Sequence, residues 1–269
     1  MQLRGKTAVL TGAGSGIGRG IAISLAKRGC HLALADINEA GLADTAKLIP
    51  GDVRVSRHRL DVSDRNAVMA LPGEVIAEHG SADVLVNNAG VAVGGTFADV
   101  SEADFEWLFG INYWGVVYMT RAFLPLLGKG QDAQIVNISS IYGIIAPPGQ
   151  TAYASSKFAV RGFTNALRHE LKGTKIAVTT VHPGGIATEI VNSARINGNF
   201  SAEEIEERRA FANRNLKMPP SQAGEIIVSG IERGKARILV GNDARFIALL
   251  ERIAPVSYWN VLARMLARS

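Results

Sequence analysis

Short apolar, β-branched runs recur along this chain, each followed by a segment of helical periodicity, and that alternation leaves few folds open. The runs fall at 7–11, 31–36, 53–60, 83–87, 134–139, 175–182 and 237–240. Most are apolar throughout and do not alternate, which is the pattern of strands buried on both faces of a parallel sheet. Helices are predicted near 16–28, 38–48, 65–79, 102–127, 152–171 and 221–233. Repeated βα units joined by right-handed crossovers imply a doubly wound, Rossmann-like α/β sheet of about seven strands with helices on both faces. No Gly/Ser-rich or Pro-rich linker and no internal repeat interrupts the chain, so residues 1–269 are expected to form one domain.

Composition narrows the function classes. Apolar residues make up 47% and charged residues 20%, ordinary for a globular protein with a substantial core. The start, MQLRGKTAVLTG, shows neither a long apolar region nor a small-residue cleavage site, so no secretory leader is expected. No apolar run approaches the roughly 18 to 20 residues that span a bilayer. A lone Cys30 allows no internal disulfide and suits a reducing, cytoplasmic setting. The histidines (His31, His58, His79, His169, His182) show no zinc-site spacing, and no metal is expected. The net charge of +5 sits in the tail: Arg233, Lys235, Arg237, Arg245, Arg252, Arg264 and Arg268 stand against Asp243 and Glu251. A balanced body with a basic tail does not resemble a nucleic-acid reader.

In a doubly wound sheet, ligands bind at the carboxyl ends of the strands. The first strand ends in TGAGSGIG, Thr11 to Gly18. Its glycines would let the backbone approach a pyrophosphate at a helix N-terminus, although a tight βα turn uses glycine the same way. The second strand ends in Asp36, which can accept both ribose hydroxyls of NAD and repel the extra phosphate of NADP; a helix N-cap is its other reading. Asp61 and Val62 end the third strand, and Asn87, Asn88, Ala89 and Gly90 end the fourth. Tyr153 and Lys157 lie four residues apart on a predicted helix, so phenol and ammonium share a face.

These motifs, with GINYWG, SSIYG, YASSK and HPGGIAT in order behind them, resemble the short-chain dehydrogenase/reductase family over roughly the first 190 residues. The resemblance implies Tyr153 as the catalytic acid/base, Lys157 as its partner, and Asn112 as the asparagine that holds a water in the proton relay. Strand alternation lets only one of Ser139 and Ser140 face the site. The family's serine stands thirteen residues before the tyrosine, which selects Ser140. The resemblance also implies NAD bound by Gly12, Ser15, Gly16, Ile17, Gly18, Asp36, Asp61, Val62, Asn88, Ala89, Gly90, Tyr153, Lys157, Pro183, Gly184, Ile186 and Thr188. The chemistry coheres. A phenol with a pKa near ~10 is a poor base at neutral pH, and a lysine cation plus an oxidised nicotinamide would favour its phenolate.

The expected reaction interconverts an apolar or weakly polar alcohol and its carbonyl compound. A lyase or epimerase that uses NAD transiently would suit a branch carrying GxxGxxG, which this chain lacks; a dinucleotide sensor would not need Asn112, Ser140, Tyr153 and Lys157. Residues 189–220 read as a substrate lid, with a charged helix at 202–215. Ile190, Val191, Ile196, Phe200, Phe211 and Met218 are expected to join Val93, Ile141, Tyr142 and Pro147 near the pocket. The tail, 243–269, replaces the family's glycine-rich end with an amphipathic basic pattern that resembles the steroid and retinoid branches. It could cap the pocket or sheet edge, contact a subunit, or lie on a membrane surface, burial against protein being the commoner course. Phe123, Leu124, Phe158, Val160 and Phe163 exceed what one buried helix face needs. In the resembling family these helices pair subunits, so a homodimer, or a homotetramer, is expected.

Overall fold

The computed structural model describes residues 1–129, 132–198 and 200–266; the last residues of the predicted tail, 267–269, lie outside it. The strands are β1 (Thr7–Thr11), β2 (His31–Asp36), β3 (Val55–Arg59), β4 (Val84–Asn87), β5 (Val93–Gly94), β6 (Ala133–Ile138), β7 (Ile176–Pro183), β8 (Arg195–Ile196) and β9 (Arg237–Val240). Seven of them form one parallel sheet in the order β3-β2-β1-β4-β6-β7-β9. The order reverses between β1 and β4, which opens the crevice that a ligand can use. β5 and β8 make a separate two-residue ladder, too short to leave a periodic signal in the sequence.

The helices are α1 (Gly16–Ala26), α2 (Glu39–Lys47), α3 (Arg65–His79), α4 (Glu102–Phe109), α5 (Gly115–Leu127), α6 (Thr151–Glu170), α7 (Ala202–Arg214), α8 (Pro220–Glu232), α9 (Asn242–Ile253) and α10 (Tyr258–Leu266). They cover the sheet as two layers. On one face Ile21 and Leu25 of α1 and Ile227 and Ile231 of α8 pack on Leu10, Leu34 and Val240. On the other, Val68 and Leu71 of α3 and Met119 and Phe123 of α5 pack on Val9, Leu85 and Ile135. Each such side chain, when fully buried, contributes roughly 1.5–3 kcal/mol, whereas a surface ion pair adds about 0–1. The apolar layers therefore carry the fold.

α1 and α8 meet without side chains between them. A Cβ on Gly20 or Gly224 would overlap the facing backbone, so the two helices touch main chain to main chain. Arg28 then ties α1 to α8 through Glu225 at 2.6 Å and Glu232 at 2.7 Å. This contact fixes the height of α1 above the sheet, and with it the glycine turn at its start.

The helix expected over 102–127 is broken in two by a π-turn, Gly110–Trp114. At its centre stands Asn112, fully buried and bonded to Val91. Helical periodicity is blind to that one-residue insertion, because α4 and α5 keep the same apolar spacing on either side. Phe123 and Val160, expected as surplus apolar surface, are instead fully buried, and Leu124 and Phe163 are half-buried. Only Phe158 of that set is exposed.

Candidate active site

The glycine turn is tied to the end of β4 by one threonine. The Thr11 hydroxyl accepts the backbone N–H groups of Asn88 at 3.0 Å and Ala89 at 3.1 Å. The Asn88 amide returns the contact, donating to the carbonyls of Thr11 and Gly12 at 3.0 and 3.1 Å. Gly12 has φ +65° and Gly16 φ +50°, both in the left-handed region. Gly18 stands behind the crevice lining: its α-carbon faces the Gly12 carbonyl so closely that any side chain would overlap it, so it shapes the turn from within. Ser15, the N-cap of α1, makes no side-chain cap bond, so the first N–H groups of that helix remain open to an anion.

Asp36 is held by the turn it serves. One carboxylate oxygen accepts the Gly14 N–H at 2.8 Å and the other accepts the Asn38 N–H at 2.9 Å. Each oxygen keeps one lone pair for a further donor, which suits a vicinal diol. The N-cap of α2 is Asn38, whose side chain accepts from Gly41 at 3.0 Å. Asp36 is thereby spared that task.

Deeper in the crevice, the end of β6 delivers two serines, both at the crevice lining. Ser139 is buried and its hydroxyl is occupied in donating to the Lys157 carbonyl at 2.8 Å, while Ser140 is half-buried. The Tyr153 phenol is buried against Tyr142, their rings 6.0 Å apart edge to face. Burial pushes it up to about 12, and its bond to the Ser140 hydroxyl draws it back only in part. Lys157 is also buried, with Nζ 3.4 Å from the Ile138 carbonyl and 5.6 Å from the centre of the Tyr153 ring. Burial pulls that ammonium down to about 8. Lys157 is expected to lower the phenol, but the phenol rises, with burial as the largest cause and the Ser140 bond as the opposing one.

Asn112 stands behind this group and does not line the crevice. Its side-chain oxygen accepts the Val91 N–H at 2.8 Å, and its amide donates to the Val91 carbonyl at 3.0 Å and to Ser156 at 3.1 Å. Its carboxamide is thus occupied in fixing the loop after β4 against α6.

The crevice encloses about 440 Å³ and brings together Ser140, Tyr153 and Lys157 with every expected cofactor position except Gly18. Beyond them its wall is apolar: Val91, Trp107, Ile111, Ile190 and Leu216. Of the six apolar side chains expected to point in from 189–220, Ile190 alone lines it. Val93 is buried beside it, Met218 packs on the core, Phe200 lies under Arg208 and Phe211 is exposed. One carboxylate, Glu189, also faces in, with Asn192 at 2.8 Å. β8 pairs with β5, and Arg195 stacks 3.5 Å over Trp107 and meets Asp104 at 2.7 Å, which ties this segment to α4. Among the described residues no cluster suited to a metal ion occurs.

Three positioning residues were not singled out from the sequence. His182 Nδ1 donates to the Ser140 carbonyl at 2.8 Å, and burial brings its pKa down to about 4. Asp243, at the start of α9, accepts the Gly185 N–H at 2.6 Å. The Tyr258 hydroxyl accepts the Ala146 N–H at 3.0 Å, so the tail touches the loop that follows Ser140. Only HPGGIAT carried a local signal, and that pointed to the cofactor loop, not to the imidazole.

A family model described as short chain dehydrogenase matches residues 6–198. SadH of Mycobacterium tuberculosis is 42% identical over 268 residues, covering 98% of this chain and 96% of that protein. The oxidoreductase UcpA of Salmonella typhimurium is 39% identical over 231 residues, covering 84% and 87%. Among solved structures, a short-chain dehydrogenase/reductase from Burkholderia phymatum in complex with NAD superposes with a TM-score of 0.87 at 31% identity, covering 94% of this chain and 95% of that one.

His182 makes stability pH-dependent. Its folded pKa of about 4 lies below the ordinary 6.5, so between these values the unfolded chain binds a proton that the folded chain refuses. Stability should therefore fall as the pH drops from about 6.5 to about 4, by up to about 3 kcal/mol from this group. Urea midpoints across that range should show the decline, and His182→Gln should flatten it.

Proposed function

Because this chain belongs to the short-chain dehydrogenase family, we propose that it interconverts an apolar, secondary alcohol and its ketone, with NAD as hydride carrier and Tyr153 as acid/base. The observation that carries this reading is the placement of Ser140, Tyr153 and Lys157 between the glycine turn and an apolar wall. NAD, when bound, supplies the hydride acceptor and NADH the donor.

The residues present fit that cofactor. The open N–H groups at Gly16 and Ile17 would hold the pyrophosphate, and Asp36 would accept the adenosine ribose hydroxyls with its spare lone pairs. A second phosphate on that ribose would meet the carboxylate, hence NAD over NADP. Lys157 would hold the other ribose, and the Ile186 main chain with the Thr188 hydroxyl would face the carboxamide.

Ser140 hydrogen-bonds the substrate oxygen and steadies the charge that develops there. In reduction, Tyr153 is already in its working form, protonated, and donates to that oxygen. In oxidation it must shed its proton; burial opposes this, and the positive charges of Lys157 and the oxidised nicotinamide favour it. His182 holds the Ser140 main chain, and Asn112 holds Val91 at the crevice wall. The wall of Val91, Trp107, Ile111, Ile190 and Leu216 favours a hydrophobic substrate over a sugar acid. For assembly, the exposed Trp114 and Phe158, 47% and 38% accessible on the π-turn and α6, support a two-fold dimer through this face.

Tyr153→Phe should lower turnover with a panel of hydrophobic alcohols on the order of 10²–10⁴-fold while leaving NADH binding, followed by fluorescence, nearly intact. Retained turnover would place the base elsewhere. Titrating both cofactors should show NAD bound more tightly, and Asp36→Ala should shrink that preference by roughly tenfold or more. Tighter binding of NADP by the unaltered chain would overturn the cofactor reading. Light scattering at low micromolar concentration should give a dimer mass; a monodisperse monomer would overturn the assembly.

A further inference from the structure

Helices α9 and α10 are fixed on one side and bare on the other. The inner side is anchored by buried Ala244, by Asp243 on Gly185 and by Tyr258 on Ala146. The outer side carries Phe246, Leu249 and Ile253, spaced three and four apart and so on one face. Leu249 is 57% and Ile253 72% exposed, and Val256 in the connecting turn is 93% exposed. Val261 and Met265, four apart, continue the exposed apolar surface on α10.

Charge follows the same division. Arg245, Arg252 and Arg264 are exposed and immediately precede Phe246, Ile253 and Met265, so each stands beside the apolar stripe. Among the described residues none of the three forms an ion pair. The tail's carboxylates are engaged inward: Asp243 with Gly185, and Glu251 close enough to Arg237 to favour its charge. Among the described residues the outer face is thus apolar and edged by cations, with no carboxylate beside the stripe.

That combination discriminates between occupants. A two-fold contact with a second copy would set like-charged arginine rows together with no carboxylate to pair them. A sheet of anionic headgroups supplies the missing charge, and the acyl boundary beneath it takes Leu249, Ile253 and Val256. We propose that α9 and α10 dock this protein on a lipid surface rich in anionic headgroups, lying in its plane. Among the described residues no helix is long and apolar enough to cross a membrane, so the contact is superficial. It does not depend on which alcohol the crevice takes.

The test sediments the full chain with vesicles of phosphatidylcholine alone or mixed with phosphatidylglycerol. Binding to the mixed vesicles, weak or absent on the neutral ones and released by salt, is expected. Leu249→Asp with Ile253→Asp should abolish it. Arg245→Gln, Arg252→Gln and Arg264→Gln together should weaken it roughly a hundredfold, at about fivefold per arginine. Both variants should keep their circular dichroism and their NADH binding. Equal sedimentation with both vesicle types, sedimentation with neither, or undiminished binding by the arginine variant would overturn the proposal. So would a fall in mass, by light scattering, of the Leu249→Asp and Ile253→Asp variant, which would assign the face to a second copy.

Discussion

Every part of the candidate site depends on seven strands running the same way. A parallel sheet leaves all its carboxyl ends along one edge, so residues far apart in sequence arrive at one line. Thr11, Asp36, Asn87, Ile138 and Pro183 are the last residues of their strands, and each is followed by a loop that lines the crevice. The parallel arrangement in turn requires apolar cover on both faces, which α1 and α8 provide on one side and α3 and α5 on the other. Chemistry and core are therefore set by the same constraint: a change that tilts α1 against α8 also moves the open N–H groups at Gly16.

Burial acts on the two ionisable side chains in opposite senses. Removing water favours the neutral form of each, raising Tyr153 and lowering Lys157. The phenol is thereby held protonated, and the charged forms, the phenolate and the ammonium, are the ones that are costly to keep dry. What offsets this cost is local: the Ser140 bond to the phenol and the Ile138 carbonyl near the ammonium. Tyr142 packs edge to face on the Tyr153 ring and raises the phenol further through the repulsion of a second phenolic group.

The parts legible in the sequence are those governed by short-range periodicity. Continuous apolar runs mark the sheet, with β1, β2 and β9 at their expected bounds and the ends of β3, β4, β6 and β7 shifted by one or two positions, and i,i+4 spacing puts Tyr153 and Lys157 on one face. What stayed hidden was fixed by partners distant in sequence. The Asp243 contact spans 58 positions and the Tyr258 contact 112, and neither residue lies in a motif. The π-turn at Asn112 escaped for a different reason: it inserts one residue without disturbing the apolar spacing on either side. Within 189–220, apolar composition does not distinguish a wall residue such as Ile190 from an exposed one such as Phe211. Trp107 and Leu216 entered the wall unannounced.

The carboxylate at the end of β2 meets its ligand already ordered. Asp36 is held from both sides by Gly14 and Asn38 before any diol arrives. A side chain that must be ordered on binding costs about 0.5–1.5 kcal/mol, and this one has already surrendered that freedom to the fold. Its geometry is set by the same turn that places the anion site at α1, so the two recognition points keep a fixed separation. A ligand spanning both meets a rigid ruler: one of the right length loses little entropy to the protein, and one slightly longer or shorter finds no slack to take up.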